Sequence, residues 1–416
     1  MLRRTSLLLL SLLCWATSLQ AQLLLSLRDD IRTLRCEVNG QLHPLPILSL
    51  GSGEQVVVSF DQMSHDYHRF YYRVEHCDAQ WRPTEGVFDS EVLSANQPEV
   101  LIEQYQPSRN TSTLYTHYAF TFPNAEVRPL LSGNYRLSIF DDAAPDAGPV
   151  AQVCLAVVDP QVAMAAELTT NTDVDWNRAH QQLSLKVDAT RLNARDPAHD
   201  LQLVVLQNGQ WLSASWLGRP TFQHGTVLTW QHQPELIFAA GNEYRSFEWL
   251  STQGTGMRVD HVGWHPPYWH TTLMLDEPRR NYLKVFDRNG TSVVRNVDNH
   301  DNDTESEYAY VHFAIATPEL PDAEVYVDGA WVNRPFSDEY LATYNPETQA
   351  YEAAIFLKQG YYNYRYLVAT KAEKRPLTAP LEGDFYQTTN DYTVLVYYQS
   401  PTDRHQQLVG VHQLRY

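Results

Sequence analysis

The chain reads as an all-β protein built of three tandem β-sandwich modules, immunoglobulin-like or early-set in type. Three observations predict this. Apolar and aromatic residues recur with period two, as in Phe70, Tyr72, Val74 and His76, an alternation that buries one sheet face and wets the other. Turn pairs at Asn39-Gly40, Asn208-Gly209, Asn289-Gly290 and Asp328-Gly329 punctuate these runs with residues that tolerate positive φ in tight hairpins. No segment sustains a helical stripe, and 416 residues are too many for one ordinary core, which implies sandwiches of roughly 100 to 140 residues each.

Taken in order, the N-terminus MLRRTSLLLLSLLCWATSLQAQ has basic Arg3 and Arg4, an apolar run from Leu7 to Ala16 and a small residue at Ala21. This is the pattern of a secretory signal peptide over residues 1–21. Leu19 is a poorer match at the −3 position, and the bulky Leu13 before Cys14 argues against lipidation. Module one is expected over 22–158, with strand rhythm at Phe70–His76 and at Tyr118, Phe120 and Phe122, and a last strand around Val153 to Val158 before Asp159-Pro160. Module two is expected over 159–296, with strands through Leu183, Leu185 and Val187 and through Leu201, Leu203 and Val205. The stretch VDNHDNDTESE, 297–307, has almost no apolar content and reads as an acidic linker, since it has no face to bury. Module three, 308–416, alternates through Tyr351, Ala353, Ile355 and Leu357 and through Tyr362, Tyr364, Tyr366 and Val368.

Charge limits the partners. Loss of residues 1–21 removes two arginines and no acid, which moves the formal charge from −18 to −20. Such a chain repels phosphate backbones and anionic headgroups, so no nucleic acid is expected as a ligand. No stretch after the leader is apolar for the ~20 residues of a membrane span. Cys36, Cys77 and Cys154 remain; export to an oxidising compartment allows one pair to be bridged and leaves one thiol over.

No catalytic site, cofactor or metal is expected. Asp298, Asp301 and Asp303 lack EF-hand spacing and a turn glycine. His261, His265 and His270 lie in a segment whose prolines argue against the helix of a zinc pair. His76, Cys77 and Asp78 contain the groups of a thiol nucleophile, yet consecutive residues of a strand face opposite ways. Nucleophile-elbow, zincin, phosphate-loop and dinucleotide motifs are missing from the sequence; a two-carboxylate glycosidase leaves no local signature. Two aromatic groups are candidates for binding. Trp264, Tyr268 and Trp269 crowd a Pro-containing segment that belongs in a loop or at a sheet edge, where aromatics anchor partners. Trp331, in EVYVDGAW, is a candidate sugar-stacking platform of an early-set glycan-binding module.

Three stretches form a fingerprint: HCDAQW from His76, SRNTSTLYTHYAFTFPN from Ser108 and GNEYRSF from Gly241. SGNYRLSIF from Ser132, LKQGYYNYRY from Leu357 and PLEGDFYQTTNDYTVLVYY from Pro380 accompany them. In this order they resemble the plug proteins of the type IX secretion system of Bacteroidetes-type bacteria, over nearly the whole chain after the leader. The resemblance implies a non-enzymatic protein of the periplasm, at the inner side of the outer membrane. Its partner would be the outer-membrane β-barrel translocon, whose periplasmic opening it closes when no cargo is present. A periplasmic glycan-binding protein is the alternative.

Overall fold

The computed structural model describes residues 24–95, 97–192, 194–370 and 376–416; the expected signal peptide lies outside them. The N-terminal sandwich packs two sheets. One runs Leu24–Ser26, Ala151–Val158, Gly133–Asp141, Phe70–Cys77, Val100–Leu101, with Ile47–Ser49 parallel to Ala151–Val158. The other runs Gln41–Leu42, Ile31–Val38, Val56–Gln62, Thr116–Phe122, Gln104–Pro107. Alternate residues meet between them: Tyr72 stacks on Phe120 at 4.2 Å, and Phe70 stands edge-on to Tyr118 at 4.9 Å, geometries that aromatic quadrupoles favour.

The central sandwich pairs Ala163–Thr169, His180–Asp188, Val227–Trp230 and Phe222–His224 in one sheet. Its facing sheet runs Gln210–Leu217, Leu201–Gln207, Asp391–Tyr398, Gln407–Arg415. The last two strands come from the C-terminus, so the linear partition 159–296, 297–307 and 308–416 is not the division made by sheet pairing. Between the two halves of the central sandwich the chain builds a third body. Its ten-stranded sheet runs Arg245–Trp249, Gly360–Thr370, Ala323–Asp328, Leu341–Asn345, Ala350–Lys358, Tyr308–Ala316, Tyr268–Leu273, Val259–His265, with Ser292–Val294 and Pro376–Leu377 paired to Gly360–Thr370. That sheet wraps one core containing Phe247, Trp249, Phe313, Ile355 and Tyr364. The central sandwich is therefore discontinuous and the third body is inserted in it. Residue alternation reports which face a strand buries, not which strand lies beside it, and this is why the sequence reading placed the C-terminal strands in the wrong body.

The strand Leu201–Gln207 places Leu201, Leu203 and Val205 in the central core, while Val204 and Leu206 enter a second cluster with Leu395, Tyr397 and Leu408. That cluster also holds Cys77, Cys154, Ala156 and Val158 of the N-terminal sandwich. The outer faces of two sheets thus pack against each other. Strands buried on both faces lose the apolar-polar alternation, which explains the continuous runs VCLAVV and VLVYY. Cys36, Cys77 and Cys154 are free and buried; no bridge forms, and Gly133–Asp141 separates the strands that carry Cys77 and Cys154.

Two further expectations change. Asn39-Gly40 and Asn208-Gly209 take positive φ at both residues, as two-residue hairpins require, but Asp328-Gly329 forms no hairpin. A Cβ at Gly329 would stand 2.4 Å from Trp331 Nε1 and 2.7 Å from the Asn363 carbonyl, so this glycine lets the indole pack. The acidic stretch 297–307 is no free linker: Thr304, Ser306 and Glu307 are buried because the segment docks on the N-terminal sandwich.

Candidate functional site

Each fingerprint motif lies at a joint between bodies. HCDAQW ends the strand Phe70–Cys77 and faces the central sandwich. Burial lowers the pKa of His76; its Nε2 donates to the Ser132 carbonyl at 3.1 Å, leaving Nδ1 to accept from the Thr84 hydroxyl at 2.8 Å. Gly133, at φ +145°, makes room for this ring, since a Cβ there would lie 2.3 Å from Nε2. Cys77 points the other way into the joint and burial raises it to about 12, far from the thiolate a nucleophile needs. Trp81, buried with φ +64°, meets Trp211 of the central sandwich edge-on at 5.4 Å. The Tyr397 hydroxyl donates to Asn134 Oδ1 at 2.9 Å, and the Ala79 amide donates to Gln406 Oε1 at 2.7 Å.

SRNTSTLYTHYAFTFPN forms the joint with the inserted body, where it receives the acidic stretch. Glu307 accepts the backbone N–H groups of Ser112 at 2.5 Å and Thr113 at 3.1 Å, and the Ser112 hydroxyl at 2.7 Å. The Tyr115 hydroxyl donates to the Ser306 carbonyl at 2.8 Å. Beneath them Asp61, 1 % exposed, pairs with Lys358, 0 % exposed, at 2.6 Å. His117 Nδ1 and the Tyr308 hydroxyl also donate to Asp61, each at 2.6 Å, and Lys358 donates to the Asp303 carbonyl at 2.6 Å. The ammonium lies 4.2 Å from the Tyr115 ring centre, a cation–π contact in a dry site. Burial acts to raise the Asp61 pKa, but Lys358 and His117 outweigh it and hold the carboxyl down at about 2. Burial lowers Lys358 in spite of the attraction of Asp61.

GNEYRSF carries the chain from the central sandwich into the inserted body, and PLEGDF carries it back. The two crossings are tied together. The Gly241 amide donates to Asp384 Oδ1 at 3.1 Å and its carbonyl accepts the Phe385 amide at 2.8 Å. Arg245 bridges Asp276 at 2.8 Å and Glu382 at 3.1 Å, and Arg279 adds to Glu382 at 2.6 Å. The hydroxyls of Tyr364 and Tyr366 donate to Asp276. Burial pushes Glu382 up, yet the two guanidiniums keep it below the usual carboxylate range.

The aromatic segment around Trp264 is the edge hairpin of the inserted body. Val259–His265 pairs with Tyr268–Leu273 across Pro266-Pro267, a cis bond, with Trp264 opposite Trp269 and His265 opposite Tyr268. Trp264 is 43 % exposed and its ring lies 5.4 Å from that of Trp269, which packs on the core. Tyr268 is on the other face, edge-on to Tyr310 and Phe356 at 5.4 and 5.3 Å. The structure thus joins two of the three aromatics and separates the third by strand alternation. Sequence reasoning missed the extended stretch 283–286, where Leu283 and Phe286 are exposed, the latter by 89 %; a run of four residues without a turn signal was its only trace.

Trp331 is not a platform for sugar. It is 7 % exposed, donates from Nε1 to the Asn363 carbonyl at 2.7 Å and meets Tyr362 edge-on at 5.3 Å, so neither ring face is open for stacking. Trp331→Ala should cost about 3–5 kcal/mol in chemical denaturation and leave retention on amylose unchanged from the parent chain.

A cleft of about 820 Å³ lies among Arg35, Glu37, Asn208, Asp287, Asp303 and Arg415. Burial raises Asp287 to about 6, as suits a general acid. Both its oxygens are already engaged, however, by the amides of Asn289, at 3.1 Å, and Tyr244, which makes it a turn-holding group. Among the described residues no helix is long and apolar enough to cross a membrane.

Residues 31–159 match the family described as type 9 secretion system plug protein, first domain. A crystal structure of a hypothetical protein from Parabacteroides merdae superposes with a TM-score of 0.90 at 34 % identity, covering 94 % of this chain and 99 % of its own. The chain belongs to the type IX secretion system plug protein family. Membership associates it with type IX secretion. Dimeric latent PorU from Porphyromonas gingivalis aligns at 10 % identity over 92 % of this chain and 34 % of its own, with a TM-score of 0.13, which is no likeness of fold. No curated protein matches. Each of the three fingerprint stretches thus holds contacts that bind one body to the next, and the family match over residues 31–159 takes in two of them, HCDAQW and SRNTSTLYTHYAFTFPN.

Proposed function

We propose that this chain is a non-enzymatic periplasmic plug that binds and closes the periplasmic opening of the type IX outer-membrane translocon while no cargo occupies it. The observation that carries the reading is the placement of all three fingerprint motifs at the joints. A stopper works by shape, so its bodies must not swing, and dense cores with buried ionic joints resist deformation. Nothing in such work calls for an open pocket or an activated nucleophile. Release follows if the cargo-engaged barrel binds the plug less well than the empty one, since a partner shifts an equilibrium only through differential affinity.

Trp264, Tyr268 and Trp269, at the tip of the edge hairpin, form part of the surface facing the translocon. Affinity purification of the tagged protein from its native envelope should recover a very large β-barrel. Replacing the three aromatics by Ala should weaken that recovery on the order of tenfold or more, and Trp264→Ala alone, which leaves the core-packed Trp269 in place, should weaken it in the same direction with circular dichroism unchanged. Recovery of no barrel by the parent chain sinks the plug reading; undiminished recovery by the triple variant sinks the surface.

A further inference from the structure

We propose that His261, His265, His270 and His312 form a binding site for one divalent transition-metal ion, of the zinc or nickel class, on the outer face of the edge hairpin. The sheet brings together what the sequence scatters. His261, Gly263 and His265 alternate along Val259–His265 and so share a face. Gly263 is opposite His270, Thr272 is opposite His261, and the parallel neighbour Tyr308–Ala316 sets Tyr310 beside His270 and His312 beside Thr272. The four imidazoles therefore lie on one face of three adjacent strands.

Gly263 leaves the centre of this group empty of side chain. A Cβ there would lie 2.8 Å from His261 Nε2 and 3.4 Å from His265 Nε2, so both rings bend in over the glycine. Next to it His270 Nδ1 and His312 Nε2 are 2.8 Å apart and their rings stack at 5.1 Å, while the His265 ring lies 5.3 Å from that of His270. Two nitrogens bound to one tetrahedral zinc are roughly 3.3 Å apart, with metal–nitrogen bonds of about 2.0–2.1 Å, so the His270–His312 pair is nearly at ligand spacing. As the side chains stand, no group of three or more His, Cys, Asp or Glu among the described residues surrounds a metal position. Ligation requires the outer rings, His261 and His265, both solvent-exposed, to turn toward the pair.

The donor set suits the ion: imidazole nitrogens are ligands for zinc and nickel alike, and the parallel pairing sets two of them side by side. One proton now shared between His270 Nδ1 and His312 Nε2 moves to the distal nitrogen of its ring on ligation, with no net release. The consequence is mechanical: an ion bridging Val259–His265, Tyr268–Leu273 and Tyr308–Ala316 clamps the edge hairpin to the sheet. The site does not depend on what that hairpin docks against.

The test is titration of the untagged protein with zinc chloride and then nickel chloride at pH 7.5, followed by calorimetry and thermal unfolding. One ion per chain and a rise in Tm are expected, with X-ray absorption showing a first shell that includes imidazole nitrogen. The exposed pair His261→Ala/His265→Ala, which leaves the half-buried His270 and His312 in place, should weaken binding at least tenfold. So should Gly263→Val, which keeps all four histidines and fills the space between them. Absence of stoichiometric binding by the parent chain overturns the proposal, as does undiminished affinity in both variants.

Discussion

Lys358→Met should destabilise the protein by about 3–5 kcal/mol. The variant leaves the Asp61 carboxylate at 1 % exposure with only His117 and Tyr308 as partners, and an uncompensated buried charge is far costlier than a missing pair. Asp61→Asn in the Lys358→Met background should recover part of the loss, because it removes the charge that has no counter-ion while keeping an acceptor for Tyr308. Urea denaturation of the parent and the two variants checks this, and equal stability of Lys358→Met and its parent would refute it. Acid provides the same test without mutation. The folded pKa of Asp61, about 2, lies below the ordinary value of 3.8, so the folded state holds its proton less tightly than the unfolded state. Its contribution is therefore complete above about pH 4 and lost as pH falls toward 2. Asp61→Asn should flatten the stability curve in that window.

Trp81→Ala should cost about 3–5 kcal/mol and, unlike a core truncation within one body, loosen the N-terminal sandwich from the central one. The indole is 5 % exposed and packs on Trp211 with Leu45, Ala79 and Leu206 in the cluster that both bodies share. Alanine leaves a cavity that a joint between two stiff sheets cannot collapse to fill. The variant should show a lower Tm and a larger radius of gyration by small-angle scattering, with new proteolytic cuts between residues 78 and 84. A fall in Tm without any expansion would mean that the remaining contacts, Asn134 with Tyr397, Ala79 with Gln406 and the rest of the shared cluster, hold the joint without the indole. Under the plug reading, such a loosened chain should also co-purify less barrel, although its hairpin is intact.

Much of the fold was legible in the residues. Phe70–Cys77, Thr116–Phe122, His180–Asp188, Ala350–Lys358 and Gly360–Thr370 are strands wherever alternation announced them, because period two is a local consequence of the pleat. The acidic stretch at 297 shows where such reading stops. Its composition has no apolar face, yet Glu307 is buried because SRNTSTLY supplies backbone donors to its carboxylate, and composition does not record a partner almost two hundred residues away. Trp331 misled in the opposite sense: EVYVDGAW has the look of an exposed platform until Gly329 and Asn363 enclose the indole. The histidines of the edge hairpin form a group only once His312 is placed beside Thr272 by a parallel pairing.

By itself the sequence determined that this is an all-β chain and, through its fingerprint, which family it belongs to, since both are written in local pattern and motif. Only the tertiary structure decided that the C-terminal strands complete the central sandwich, that a third body is inserted there, and that the motifs are joints. The physical reason is that strand partnership and the burial of Asp61 against Lys358 depend on contacts between residues hundreds of positions apart. No local periodicity encodes which distant surface will exclude water from a given face.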